Sequence, residues 1–251
     1  MAAPEPGHET RYERNQRFNA LTAWLHTFRY RNLLRLVAGL AREIPDRPLR
    51  ILEIGAAHGR LYEVLDERFR IEYAGVELSP EFVERALARH GDRSNFRMRL
   101  GSAADPAVYE GLDPPDLVCA LETLEHIPER ESFRIVEHLA PLRPRLFICS
   151  VPVEIGPSIL IKNVGSLLIG YNRHRSYPWR DTFWASLYRF DHLPPHATGH
   201  RGFDWRWLAQ TIRHFFRIRE IRKNPFQWVP VCCALSVMFV AEPREDARPR
   251  A

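Results

Sequence analysis

The sequence predicts an α/β fold: a seven-stranded, mostly parallel sheet with helices on both faces, an antiparallel last strand, an N-terminal helix and a lid-like insertion. Three observations carry this. Short apolar runs alternate with helix-period segments from residue 50 to residue 151, the pattern of a parallel sheet with crossover helices. Two further apolar runs near the end are separated only by an Asn224-Pro225 turn, too short for a crossover helix, so they pair antiparallel. A long stretch ahead of the first strand repeats its apolar residues at steps of three and four.

In order, that first stretch predicts a helix over 11–43, with Phe18, Leu21, Leu25, Phe28, Leu33, Leu36, Val37 and Leu40 as its apolar stripe. Pro45 and Pro48 end it, because proline neither donates a backbone hydrogen bond nor continues a helix. Strands follow at 50–54, 71–77, 95–100, 116–121 and 145–151, with helices at 60–69, 80–90 and 130–139 between them. The end of the chain reads as a helix over 203–215 and strands over 216–223 and 231–240. The organisation is therefore a disordered tail (1–10), an N-terminal helical cap (11–48) and a core (49–153). An insertion (154–201), a terminal helix and strand pair (202–242) and a second disordered tail (243–251) complete it.

Composition narrows the class. Hydrophobic residues at 45% and charged residues at 27% are the balance of a globular protein that builds its own core. Cys119, Cys149, Cys232 and Cys233 show no Cys-x-x-Cys spacing and lie in apolar surroundings, which favours buried thiols over disulfides or a zinc site. Residues 1–12 are polar, and no apolar run is long enough to span a bilayer, so a cytoplasmic location is expected. The formal net charge of +5 is uneven: residues 155–225 carry 12 Lys+Arg against 4 Asp+Glu, an excess of eight. Such a segment can meet an anionic partner, or reflect only a chain rich in arginine.

The run Ile51-Leu52-Glu53-Ile54-Gly55-Ala56-Ala57-His58-Gly59-Arg60 is a strand emptying into a small-residue turn that opens a helix. Gly55 and Ala56 leave room for a ligand against the backbone, at the strand end where open α/β sheets bind ligands. The next strand ends at Glu77, whose carboxylate can accept hydrogen bonds from both hydroxyls of a ribose. A dinucleotide would need a third glycine where Arg60 stands, which argues against NAD.

The motif resembles the first motif of the class I S-adenosylmethionine-dependent methyltransferases, a Rossmann-like family, over residues 49–151 and more loosely to the end of the chain. The resemblance implies S-adenosylmethionine as cofactor, with Glu53, Gly55, Ala56 and Gly59 at its methionine end, Glu77 on the ribose and Leu78 on the adenine. It places Ser102, Ala103 and Leu121 around the same cleft; Ser102 stands where the family often has an acid, and Ala57 replaces the usual middle glycine.

After the fourth strand comes Glu122-Thr123-Leu124-Glu125-His126-Ile127-Pro128. This stretch is similar to a signature of small-molecule methyltransferases, including the ubiquinone-pathway O-methyltransferases, and to the Glu-x-x-Glu-His pattern of small-RNA 2′-O-methyltransferases. The resemblance implies a divalent metal (Mg, Mn, Fe or Zn) on Glu122, Glu125, His126 and the later His200; without a metal, His126 is the candidate general base beside Glu125. The alternative is that the pattern only shapes the cofactor pocket.

The insertion is expected to cover the acceptor. Leu160, Val164, Leu167, Leu168 and Tyr171 form an apolar helical stripe, followed by a basic aromatic run to Trp179. Two roles stay open for it: a lid packed on the core, or a peripheral contact with a membrane surface that collects the acceptor. The expected function is methylation of a small-molecule acceptor at oxygen, a lipid-linked or glycan intermediate included. The alternatives are an RNA 2′-O-methyltransferase and a cofactor-binding scaffold without turnover. Nothing in the sequence reads as an RNA-binding module.

Overall fold

The computed structural model of the protein describes residues 20–168, 173 and 177–244. Its elements in chain order are α1 (Ala20–Glu43), β1 (Leu49–Ile54), α2 (Arg60–Asp66), β2 (Ile71–Glu77), α3 (Pro80–His90), β3 (Phe96–Leu100), β4 (Leu117–Leu121), α4 (Glu129–Leu139) and β5 (Leu146–Pro152). Two insertion helices follow, α5 (Pro157–Leu168) and α6 (Trp179–Ser186), then α7 (Trp205–Phe215), β6 (Phe216–Asn224) and β7 (Ser236–Pro243).

The sheet runs β3-β2-β1-β4-β5-β7-β6. Neighbours are parallel from β3 to β5, and β7 lies antiparallel to both β5 and β6, so six strands share one direction and the last opposes them. Successive strand residues point to opposite faces, and β1 shows the consequence. Leu52 and Ile54 join one apolar layer with Ile135 and Val136 of α4 and Leu208 and Ile212 of α7. Leu49 and Ile51 join the other, with Leu33, Leu36, Val37 and Leu40 of α1 and Leu61 and Leu65 of α2. Covered on both faces, β5 is buried along its whole length, which is why it reads as an apolar run broken only by Ser150.

Most expected elements lie within two residues of their observed bounds; the helix expected over 60–69 closes three residues earlier, at Asp66. One expectation is corrected. Residues 231–235 do not extend the last strand: Pro230 removes a ladder donor, and a 3₁₀ turn forms with Cys233 N donating to Pro230 O at 2.9 Å. The β6–β7 connection is thus a loop of residues 225–235, closed by Leu235 N donating to Asn224 O at 2.9 Å. Cys119 and Cys149 are buried free thiols as expected, whereas Cys232 and Cys233 on this loop are free but only half-buried. The tails expected to be disordered fall outside the described residues except at Pro243, which closes β7, and Arg244. Tyr171 lies outside them too, as do four of the eight residues of the basic run that follows it.

Candidate active site

Strand order reverses between β1 and β4, so their carboxyl ends open a crevice, the position where open α/β sheets bind ligands. The turn leaving β1 forms one wall. Gly55 (φ 71°) and Gly59 (φ 83°) hold left-handed backbone conformations, and Gly59 caps α2. A Cβ on Gly55 would sit 2.4 Å from Thr123 Cγ2 and 2.6 Å from its Oγ1, so only glycine fits between the turn and the segment after β4. Thr123 is fixed there by its hydroxyl, which donates toward the carbonyls of Ile54 (3.2 Å) and Leu121 (3.3 Å).

The turn is fastened to the end of β2. Gly55 N donates to Val76 O at 2.9 Å, and Ala57 N donates to Glu77 Oε2 at 2.8 Å. The other oxygen, Oε1, accepts from Leu78 N and Ser79 N, both at 2.9 Å. Glu77 is therefore locked by three backbone donors at the mouth of the crevice, with one lone pair of Oε2 left for a ligand hydroxyl. Ser79 caps α3 and Pro80 opens it, as the sequence predicts. Leu78 is 69% exposed and Leu100 55%, an apolar pair with no protein cover at a cleft rim. Ser102 Oγ accepts from Ala104 N at 3.2 Å, a local turn contact, and Ala103 is buried, its carbonyl accepting from Tyr109 at 2.6 Å.

Beneath the turn, Glu53 is buried and takes a very short hydrogen bond from the Tyr73 hydroxyl. Burial pushes the Glu53 carboxyl up to about 8; the Tyr73 contact opposes this, Glu77 adds to it and Arg29 of α1 works against it. Ala56 is buried and Leu121 half-buried, lining the floor. A cavity of about 530 Å³ lined by Arg50, Asp66, Arg70, Glu72, Arg97 and Asp113 lies among the other ends of β1–β3 and takes no part in this site.

The segment after β4 forms the facing wall. Glu122 has φ 53°, a left-handed conformation that an L side chain rarely adopts. Its Oε1 accepts from Ser150 Oγ at 3.0 Å and pairs with Arg29 Nη1 at 3.3 Å. Glu125 is completely buried, and neither carboxyl oxygen has a hydrogen-bond partner. Burial first, then the Glu122 charge, raise its carboxyl well above the ordinary carboxylate value. His126 Nε2 lies 3.8 Å from Glu125 Oε1, and its ring centroid is 5.2 Å from that of His200. Both imidazoles are about half exposed and sit below the ordinary imidazole value; burial is the main cause for each.

The structure thus brings Glu125, His126 and His200 together, while Oε1 of Glu122 is taken up by Ser150 and Arg29. Among the described residues, no group of three or more His, Cys, Asp and Glu side chains is arranged to hold a metal. The four-ligand set expected from the motif does not close in this geometry, so the residues as placed do not fit it.

Several residues here escape sequence reasoning. Glu154, fully buried after β5, pairs with Lys162 Nζ at 2.9 Å and Arg173 Nη2 at 2.5 Å, and lies 3.4 Å from His200 Nδ1. Burial would raise its carboxyl, but these cations outweigh burial and hold it below the usual range. His196 Nε2 lies 3.0 Å from both Glu125 O and Gly199 O, tying the insertion to the segment after β4. Only Glu154 carried a signal, its position past the carboxyl end of a central strand.

A glycine turn, an acid locked at the end of the neighbouring strand and an acid–imidazole cluster across the crevice are the features of a class I S-adenosylmethionine-dependent methyltransferase. A family model described as a methyltransferase domain matches residues 24–223, and the chain belongs to that family. Among solved structures it is similar to magnesium protoporphyrin IX methyltransferase from Synechocystis PCC 6803 with bound SAH, at 16% identity, TM-score 0.56, 93% of this chain and 94% of that one. It is also similar to the methyltransferase domain of bacterial CtHen1-CN, at 18% identity, TM-score 0.54, 87% and 99% coverage. A third is the N-methyltransferase NodS from Bradyrhizobium japonicum WM9, at 12% identity, TM-score 0.54, 88% and 97% coverage. At these identities the likeness is one of fold.

Proposed function

We propose that the protein methylates a hydroxyl of a small-molecule acceptor, with His126 as general base beside the buried Glu125 carboxyl. The observation that carries this reading is the pairing at the end of β4. A half-exposed, neutral imidazole stands next to a fully buried carboxyl with no partner. It lies three residues past Thr123, whose side chain abuts the cofactor turn.

The cofactor supplies an electrophilic methyl group on a sulfonium. The cradle fits it: Gly55 and Gly59 clear the backbone, Glu77 presents a lone pair to the ribose, and Leu78 and Leu100 offer apolar faces for the adenine. Ser102, Ala103 and Leu121 complete that side, and Glu53 supports the turn from below. His126 accepts the proton of the acceptor hydroxyl as oxygen attacks, and its half-exposed ring passes that proton to water. Glu154, Lys162 and Arg173 hold the insertion against this wall, keeping His200 beside His126. Most of the gain comes from fixing donor and acceptor in line. No step runs through a metal, because the residues as placed form no metal-holding group among those described.

The test uses cofactor carrying a ¹³C methyl group and a panel of phenolic, polyol, lipid-linked, amine and short RNA acceptors. The methyl carbon shift of the product reports the atom that received it. A methoxy signal from a small molecule, lost in His126→Ala, is the expected result. Methyl on nitrogen or carbon refutes the reading, and methyl on RNA alone replaces it with the 2′-hydroxyl alternative.

A further inference from the structure

We propose that α5, α6 and the β6–β7 loop form a docking face for an anionic membrane surface. The inference rests on where the exposed apolar side chains lie. Of the fourteen large hydrophobic residues left exposed among the described residues, ten fall in residues 160–188 and 226–228. Two of the other four, Leu78 and Leu100, are accounted for by the cofactor cleft.

These segments are contiguous in space and share one end of the sheet. α5 and α6 follow the carboxyl end of β5, and the 225–235 loop leaves the carboxyl end of β6, which runs parallel to β5. Ser158 Oγ of α5 donates to Ala234 O of the loop at 2.6 Å, and Gly156 N donates to Ala185 O of α6 at 3.0 Å. On the far side of the loop, Phe28 of α1 meets Phe226 edge-on at 6.3 Å, and Asn32 Nδ2 donates to Asn224 Oδ1 at 2.8 Å.

Both helices are amphipathic in an inverted sense. α5 buries Ser158, Asn163 and Ser166 and turns Leu160, Val164 and Leu167 outward, at steps of four and three. α6 buries Asp181 and Thr182 and exposes Trp179 and Phe183 one turn apart. Their polar faces are consumed internally: Asn163 and Thr182 share a very short hydrogen bond, and Asp181 pairs with Arg201. A lid closing on the core would bury the apolar faces instead. Trp228 extends the surface at 80% exposure, stacked on Phe226 at 5.6 Å. Clustered exposed apolar surface of this kind marks an interaction site, and tryptophan rings favour the boundary between acyl chains and headgroups.

Charge selects the partner. Of the cations on these segments, Lys162 and Arg173 pair with Glu154, Arg189 with Asp191 and Arg222 with Glu220. Arg31, Arg180 and Lys223 make no ion pair among the described residues. Apolar anchors rimmed by unneutralised cations fit phosphate headgroups over acyl chains; a partner protein with an apolar face would leave the cations unmatched. No described helix is long and apolar enough to cross a membrane, so the contact is peripheral. The proposal does not depend on which acceptor is methylated.

Sedimentation of the full chain with phosphatidylcholine vesicles, with and without phosphatidylglycerol, tests it. The wild type is expected to bind the anionic vesicles well above the neutral ones. Trp179→Ser/Phe183→Ser/Trp228→Ser, all surface positions, is expected to bind about tenfold less or weaker still, with its affinity for S-adenosylhomocysteine unchanged. Bromine on the acyl chains should quench tryptophan emission of the wild type, a readout that needs no variant. No binding of the wild type to anionic vesicles, equal binding to neutral ones or absent quenching overturns the proposal. So does full binding by the triple variant, or a wild-type dimer that the triple variant abolishes while neither binds vesicles.

Discussion

Replacing Gly55 by alanine perturbs the point where the cofactor turn meets the catalytic segment. At φ 71° an L residue is strained by about 1 kcal/mol, since the left-handed region crowds Cβ against the following carbonyl. The new Cβ would lie 2.4 Å from Thr123 Cγ2, so Thr123 must move or the turn must open. Thr123 cannot yield freely, because its hydroxyl is held to Ile54 O and Leu121 O. Overpacking of this kind costs about 1–3 kcal/mol, and the expected total is about 2–4 kcal/mol between lost stability and weakened cofactor binding. Denaturant unfolding gives the first share and calorimetric titration with S-adenosylhomocysteine the second. Gly55→Ala/Thr123→Ala removes the clash but not the strain. It should recover most of the loss, with a coupling energy of about 1–3 kcal/mol. If Gly55→Ala matches the wild type in both assays, or Thr123→Ala gives no recovery, the close approach does not shape the site.

Three further outcomes follow from the electrostatics. The Glu53 carboxyl sits at about 8 in the folded state against 4.5 as its ordinary value, so its stabilising share is complete below pH 4.5 and lost as pH rises through 8. Glu53→Gln should therefore unfold like the wild type at pH 4 and be the more stable above pH 8, by at most about 5 kcal/mol; a pH-independent difference contradicts this. Glu154→Ala strands Lys162 and Arg173 in a buried site and should cost about 3–5 kcal/mol in denaturant unfolding, against little for an exposed pair such as Arg189–Asp191. The acidic limb of kcat/KM should lie below the ordinary imidazole value, because burial lowers His126, and should vanish in His126→Ala while EDTA leaves the wild-type rate unchanged. An acidic limb that survives the substitution assigns the proton to another group.

What could be read in advance depended on whether a residue's role is local. The 51–60 turn announces itself because a glycine in a left-handed turn and a helix start are set within a few residues. Glu77 follows from the end of its strand, and the parallel register then places it beside the turn. The grouping of Glu125 and His126 with His200 was also legible, since a strand end and a helix start flank the same crevice. The fate of Glu122 was not: its carboxylate is captured by Arg29 and Ser150, which stand 93 and 28 positions away. Of the Glu154–Lys162–Arg173 cluster only the place of Glu154 past a strand end is legible, because its pairing with cations 8 and 19 positions away follows no period or spacing. The last strand was misjudged at its start for a simpler reason. Val231, Cys232 and Cys233 have strand-like side chains, but Pro230 starts a 3₁₀ turn that propensity alone does not see.

Calorimetric titration with S-adenosylhomocysteine tests the cofactor crevice between β1, β2 and β4 most directly. Saturable one-to-one binding is expected for the wild type. Glu77→Ala removes both the carboxylate proposed to hold the ribose and the anchor of the Ala57 amide, so it should bind at least tenfold more weakly, a charged hydrogen bond being worth about 1.5–3 kcal/mol. No heat of binding from the folded wild-type protein, or undiminished affinity in the Glu77 variant, would contradict the assignment of this crevice.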